Sequence, residues 1–450
     1  MRQSGVFSAI YVVLSSSAHS PSPKLRMHVS MPKASLFPHF PSIIAFLKQL
    51  ARDVLVKRRK LKRVAGIDQE ELLDPEKLAD ADSLFMEING VRIHHKTCHH
   101  ETPAEVKEDA FLLRGNGVAS VGLPMILLHG FGASVFSWNR VMPPLARISG
   151  STVLAFDRPA FGLTSRIGCI ENSASLNPYT TAFSTLATLS FIDKLGARKA
   201  ILVGHSAGCL VTLNTYFESP ERVAALILVA PAILAPFYIS KAVKHGELRN
   251  KNKREGYSDL AVAKNHFSRF WIGLGNLFVL IAVLVLKMTQ EMAHMVVSIY
   301  IKVVASLLRS AVSIMLVRVL IDKFGILAIQ KSFYDANRVT RQVIGGYTKP
   351  LQAKGWERAL LEYMIALLKG FILKSKSPIS RSLGEITCPV VVITGDTDRI
   401  VPAWNARRLA QAIPGSTYIV LNNCGHLPQE EKPNEFIDIV ERFIVLGFQC

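Results

Sequence analysis

The sequence predicts a doubly wound α/β sheet, mostly parallel, led by an antiparallel β-hairpin and interrupted by one long helical insertion. Three observations carry this. First, FMEINGVRIHH (85–95) is two alternating runs around Asn89-Gly90, the dipeptide that a tight hairpin turn favours. Second, six short apolar runs rich in β-branched residues alternate with stretches of helical period, the pattern of parallel strands covered on both faces. Third, between the fourth and fifth of those runs lies a segment with no strand signal, long and rich in helix formers.

Taken in order, residues 1–66 form a basic, acid-poor arm. The first 52 residues hold no Asp or Glu, ten Ser and several Pro, and run into KRRKLKR (57–63). That composition suits an organelle transit peptide, plastid first and mitochondrion next. VFSAIYVVL (6–14) also fits the core of a secretory signal, and the basic run fits a nuclear signal or a solvated tail. The first part of the folded core spans 67–235. Its acidic opening, IDQEELLDPEKLADAD (67–82), is expected to be helical, with the body proper starting near Ser83. After the hairpin come PMILLHG (124–130), STVLAFD (151–157), KAILVGHS (199–206) and AALILVAPA (224–232). Helices are expected over 179–195 and 207–218. Residues 236–385 are the insertion, placed as a cap; 386–450 complete the core with CPVVVITGD (388–396), STYIVLNNC (416–424) and helices over 402–413 and 434–446.

A net charge of +19 raises the possibility of nucleic-acid binding, but the charge is local. Residues 1–66 carry a net +11 and 236–385 a net +14, while the rest carries −6. Neither basic segment holds an RNA-binding or helix-turn-helix signature, and both are aliphatic, which suits an anionic membrane surface better than a phosphate backbone. The six cysteines (Cys98, Cys169, Cys209, Cys388, Cys424, Cys450) are scattered, without metal-type spacing, and read as free thiols in a reducing compartment.

Ligands of a parallel sheet gather at the carboxyl ends of its strands. His129, Asp157, Ser206, Asp396, Asp398 and His426 all fall there. A serine hydroxyl needs a base to take its proton and a carboxylate to hold that base in one tautomer. Ser206, an Asp at 396 or 398, and His426 supply all three. Gly204 and Gly208 flank Ser206 where a strained strand-to-helix turn leaves no room for side chains.

LLHGFGAS (127–134), FDRPAFGLTS (156–165), GHSAG (204–208), GDTDRIVP (395–402) and CGHLPQEEKP (424–433) resemble, in this order, the motifs of the α/β-hydrolase superfamily, over about residues 83–450. The resemblance implies Ser206 as nucleophile and His426 as general base and acid. Through the family's G-x-x-D spacing it implies Asp398 rather than Asp396 as the orienting acid. The backbone N–H groups of Phe131 and Ala207 correspond to the oxyanion hole. DRPAFG is also similar to the epoxide hydrolase and haloalkane dehalogenase branch, but that branch has an Asp nucleophile where this chain has Ser206. The departure points to an acyl-enzyme route on an ester or thioester, with carbon–carbon bond hydrolysis or acyl transfer as alternatives. A small-molecule receptor or slow hydrolase-sensor of the same fold is the reading from a different class.

Other polar residues read as structural. Asp157 is expected to bind backbone N–H groups near the following turn, and His129 and His205 to shape the pocket or satisfy loops. HHKTCHHE (94–101) looks like a metal tract, but His94 and His95 on a strand point to opposite faces. No phosphate loop or dinucleotide fingerprint occurs, so no cofactor and no metal are implied. The aliphatic cap suggests an apolar, lipid-like substrate. It also suggests membrane docking: FWIGLGNLFVLIAVLVL (270–286) carries no charge, and Ser298, Lys302, Ser306, Arg309 and Ser313 are expected to form one polar stripe on a following amphipathic helix.

Overall fold

The computed structural model describes residues 62–100, 121–167, 176–234, 265–372 and 379–448. The proposed targeting arm, apart from its last residues, lies outside them, as does the start of the insertion. In chain order the strands are β1 (Arg63–Val64), β2 (Ile67–Asp68), β3 (Leu84–Ile88), β4 (Val91–Cys98), β5 (Met125–Leu128), β6 (Val153–Phe156), β7 (Ala200–His205), β8 (Val223–Val229), β9 (Val390–Gly395) and β10 (Thr417–Leu421). The principal helices are α1 (Met142–Ser149), α2 (Thr181–Lys194), α3 (Gly208–Glu218), α4 (Asn265–Leu308), α5 (Ala311–Ser332), α6 (Arg341–Thr348), α7 (Trp356–Ile372), α8 (Ala403–Ala412), the single turn α9 (Pro428–Glu431) and α10 (Pro433–Phe448).

The eight-stranded sheet has the order β10-β9-β8-β7-β5-β6-β4-β3. It is parallel from β10 to β6 and antiparallel at β4 and β3. Asn89 and Gly90 both adopt positive φ (46° and 77°), as the two-residue turn between β3 and β4 requires. Alternate residues of the central strands enter two cores. Ile126, Leu128, Leu202 and Leu226 meet α2, α3 and α8 through Phe183, Phe191, Leu213 and Leu409. Met125, Leu127, Val203 and Ile227 meet α1 and α10 through Leu145, Phe436 and Val440. Both faces are covered, which is why these strands are apolar without alternation.

Two expectations are corrected. The acidic run 67–82 is not a helix: it holds β2 and one 3-10 turn, Pro75–Leu78. Pro75 forces Asp74 into an extended conformation (φ −65°, ψ 141°), and Leu73 exchanges backbone hydrogen bonds with Gln352 and Lys354 of the insertion instead. The folded body therefore includes residues before Ser83. The polar stripe is broken as well. The apolar run and its polar successor form one continuous α4 of 44 residues, which ends at Leu308. Ser310 then caps α5 by accepting from the Ser313 N–H, so Ser313 lies on a different helix. Arg309 is taken up by Glu362 of α7 at 2.6 Å.

Candidate active site

Ser206 follows β7 directly and holds φ at +51°, a left-handed conformation that costs a non-glycine residue about 1–3 kcal/mol. Close packing imposes it. A Cβ on Gly204 would lie 2.8 Å from the Cys209 Cα, and one on Gly208 would run into the Leu128 carbonyl oxygen. The Ser206 N–H donates to Val229 O at 2.9 Å, tying the turn to β8. Ala207 is the N-cap of α3 and lacks a side-chain cap, so the helix presents its N-terminal amides beside the serine. The loop after β5 lies against this turn, since a Cβ on Gly130 would be 3.0 Å from the Ser206 Cβ. Phe131, next in the chain, thus stands beside Ser206, and its ring is 53% exposed.

From the far edge of the sheet, Asp398 and His426 arrive after β9 and β10. His426 Nδ1 lies 2.7 Å from Asp398 Oδ2, and both side chains are buried. Asp398 Oδ1 accepts from the Ile400 and Val401 N–H groups, both at 2.8 Å, so the carboxylate is held on both oxygens. Asp396, two residues away, turns elsewhere and accepts from the N–H groups of Asn423 (3.0 Å) and Cys424 (3.2 Å). Burial opposes its charge, but those donors hold its carboxyl below the ordinary carboxylate range.

His205 links the two halves. Its Nε2–H donates to the His426 carbonyl oxygen at 2.9 Å, and the two rings lie 4.9 Å apart. This brings His426 beside the residue that precedes Ser206. Burial pushes the His205 pKa well below the usual histidine value, with the nearby His426 adding to the effect, so it stays neutral.

The structural residues account for the remaining strand-end groups. Asp157 accepts from the N–H groups of Val135 and Leu163, each at 2.7 Å, and faces His94 Nδ1 at 2.6 Å. Burial alone would raise its pKa; His94 and the backbone donors bring it to about 2. His129 donates from Nδ1 to Gly130 O and accepts the Arg158 N–H at Nε2; burial and Arg158 lower its pKa to about 4. His95, on the opposite face of β4 from His94, packs against the Phe191 ring. Among the described residues no cluster suits a metal, and Cys209, Cys388 and Cys424 are free thiols.

Six residues around the histidine loop escaped the sequence reading. Glu431 bridges the Gly425 N–H (2.8 Å) and the Tyr334 N–H (2.7 Å), and the His426 N–H donates to Ser332 O at 2.7 Å. The end of α5 is therefore stitched to the histidine loop. Glu430 is buried beside it, accepting from Ser137 Oγ and from the Tyr347 hydroxyl of α6 at 2.5 Å. Each of these residues lies in CGHLPQEEKP or hydrogen-bonds to it. Two consecutive acids on a helical turn carry no mark of burial in sequence, because such residues are ordinarily solvated.

A strained serine turn at a strand end, with a histidine held by a buried carboxylate tied to the neighbouring residue, is the arrangement of a hydrolase of the α/β fold. The chain belongs to the alpha/beta hydrolase family, whose model matches residues 125–439. It is 26% identical over 321 residues to the dihydrolipoyllysine-residue acetyltransferase component of the acetoin cleaving system of Pseudomonas putida, a match that covers 71% of this chain and 62% of that protein. It is 23% identical over 328 residues to the 2-hydroxy-6-oxo-6-phenylhexa-2,4-dienoate hydrolase of Comamonas testosteroni, covering 72% of this chain and 88% of that one. Among solved structures, Cfl2 of Burkholderia cenocepacia superposes with a TM-score of 0.49 at 18% identity, covering 80% of this chain and 95% of that one.

Proposed function

We propose that the chain is a serine hydrolase that cleaves an ester or thioester of an apolar, lipid-like acid through an acyl-enzyme. The observation that carries this reading is the Asp398–His426 pair (2.7 Å), delivered beside the left-handed Ser206 turn by the His205 hydrogen bond. In this reading His426 takes the Ser206 hydroxyl proton as Oγ attacks the acyl carbon, while Asp398 keeps the imidazole proton on Nδ1. The Phe131 and Ala207 N–H groups hold the oxyanion, each donor contributing about 3 kcal/mol in the transition state. His426 then protonates the leaving alcohol or thiol. Water, activated by the same imidazole, releases the acid and restores Ser206.

An apolar acyl group is favoured by the aromatic side chains around Phe131. Its ring meets Phe161 at 5.4 Å and Tyr363 of α7 at 6.0 Å, so core and insertion together supply an apolar wall beside the serine. The test is labelling with an alkyl fluorophosphonate, followed by turnover of esters of increasing chain length. Wild type is expected to be labelled and to prefer long acyl chains, and Ser206→Ala to lose both label and turnover. Equal labelling of the two proteins would overturn the assignment.

A further inference from the structure

We propose that the exposed apolar face of α4 seats on an anionic phospholipid bilayer, lying in the plane of the membrane rather than crossing it. That the lipid-like substrate then reaches Ser206 from this surface rests on the function proposed above; the docking itself does not.

The face is continuous. From Leu277 to Leu286 every Leu, Ile, Val and Phe side chain is between 48% and 67% exposed. Beyond Lys287 the helix has three sides. Ile301 and Ala305 are buried, on the side that faces α7. Lys287, Glu291, Ser298 and Lys302 form a polar flank. At 100° per residue, Val296, Ile299 and Val303 fall opposite the buried seam, and they are 64%, 54% and 53% exposed. The apolar side thus runs from Leu277 to Leu307, about 45 Å of helix. Soluble monomers rarely expose contiguous apolar patches beyond a few hundred Å², so this surface needs an occupant.

Charge selects a membrane over a second copy of the chain. Residues 235–264, which lead into α4, hold seven Lys or Arg and three acids, and Lys302 stands about 60° from Ile299, at the edge of the exposed face. Two copies would bring like-charged rims together, whereas anionic head groups would neutralise them. Topology selects lying over crossing. The insertion leaves the sheet after β8 and returns at β9, its immediate neighbour. If α4 crossed the bilayer, the preceding segment would have to cross too, and 235–264 has no apolar run near the roughly 20 residues a crossing helix needs. From Lys287 on, α4 has one apolar side and a polar flank, the pattern of a helix that lies at the interface, and the apolar turns before it sink into the same layer. The next helix, α5, ends at Ser332, whose carbonyl receives the His426 N–H, so the chain leads from the docked helix to the histidine loop.

The experiment is flotation of the purified full chain with phosphatidylcholine vesicles, with and without phosphatidylglycerol. Wild type is expected to float with the anionic vesicles and to lose binding as salt is added. The triple variant Val296→Glu/Ile299→Glu/Val303→Glu should lose about tenfold or more of its partition. It should keep fluorophosphonate labelling of Ser206 and turnover of a short soluble ester. A second measurement uses brominated lipid: added tryptophan at Val296→Trp should be quenched more than at Ser298→Trp. Three results would overturn the proposal: wild type that does not bind, a triple variant that binds as tightly as wild type, or a wild-type dimer that the triple variant dissolves. Equal quenching at both positions would do the same. Loss of Ser206 labelling with flotation intact would sink the proposed function and leave the docking standing; the reverse pattern would sink the docking alone.

Discussion

Strand β7 and the stretch of α4 from Leu277 to Leu286 are written in the same apolar residues, yet one is wholly enclosed and the other half open. Ile201, Leu202 and Val203 are completely buried, whereas Phe278 and Val279 are 67% and 64% exposed. The difference teaches that apolar composition marks a need for a non-aqueous neighbour and does not say which one. For β7 the neighbours are two layers of helices from its own chain. For α4, packing against α7 covers one narrow seam, and among the described residues the rest stays open.

The comparison can be broken or sharpened in four ways. The largest effect belongs to the enclosed region. Asp398→Asn is expected to lower turnover by about four orders of magnitude, because His426 loses the anion that fixes its tautomer. Asp396→Asn should leave turnover near wild type and cost only about 1–2 kcal/mol of stability, through weaker acceptance from Asn423 and Cys424. Steady-state kinetics and denaturant melts of both variants decide it, and a larger kinetic loss from Asp396→Asn would reverse the assignment.

Next, Val203→Asp puts a carboxylate into the sealed core and should cost more than about 4 kcal/mol, read as loss of soluble protein or a collapsed midpoint in urea. The third effect is a pH dependence at the junction between core and insertion. Burial pushes the Glu430 pKa up to about 7 from an ordinary value near 4.5, against the donors Ser137 and Tyr347 and the nearby Arg140, while Glu431 adds to the rise. The folded protein therefore keeps this proton to higher pH than the unfolded chain does. Stability contributed by the protonated form is complete below about pH 4.5 and is lost as pH rises through about 7. The loss is on the order of 2–3 kcal/mol. Glu430→Gln should flatten that part of the melting-temperature profile; an unchanged slope would move its origin elsewhere. The smallest effect is the counterpart to Val203→Asp. Val296→Asp makes the same chemical change on the open face of α4 and should alter stability in solution by less than about 0.5 kcal/mol, seen as an unchanged melt. A large destabilisation there would mean that the face is sealed by protein after all.

Much of the fold was legible because its signals are local. Asn89-Gly90 dictates a turn wherever it stands between alternating runs, and a strand buried on both faces must be apolar along its length. Pro75 was the exception in plain view: it ended the expected helix, although the surrounding charge pattern suited one. The polar stripe failed for a related reason. Helical spacing from Ser298 to Ser313 holds only if the helix continues, and Ser310, a good N-cap, instead started a new one.

The sequence by itself determined the order of strands and helices, the small residues around Ser206, and a short set of polar groups at strand ends, since each depends on a few neighbouring residues. The tertiary structure alone decided which of them meet. It put Asp398 rather than Asp396 against His426, used His205 to hold the histidine loop, buried Glu430 and Glu431, and left one side of α4 uncovered. Those outcomes depend on residues far apart in the chain and on which surfaces remain after packing, and a local pattern carries no information about either.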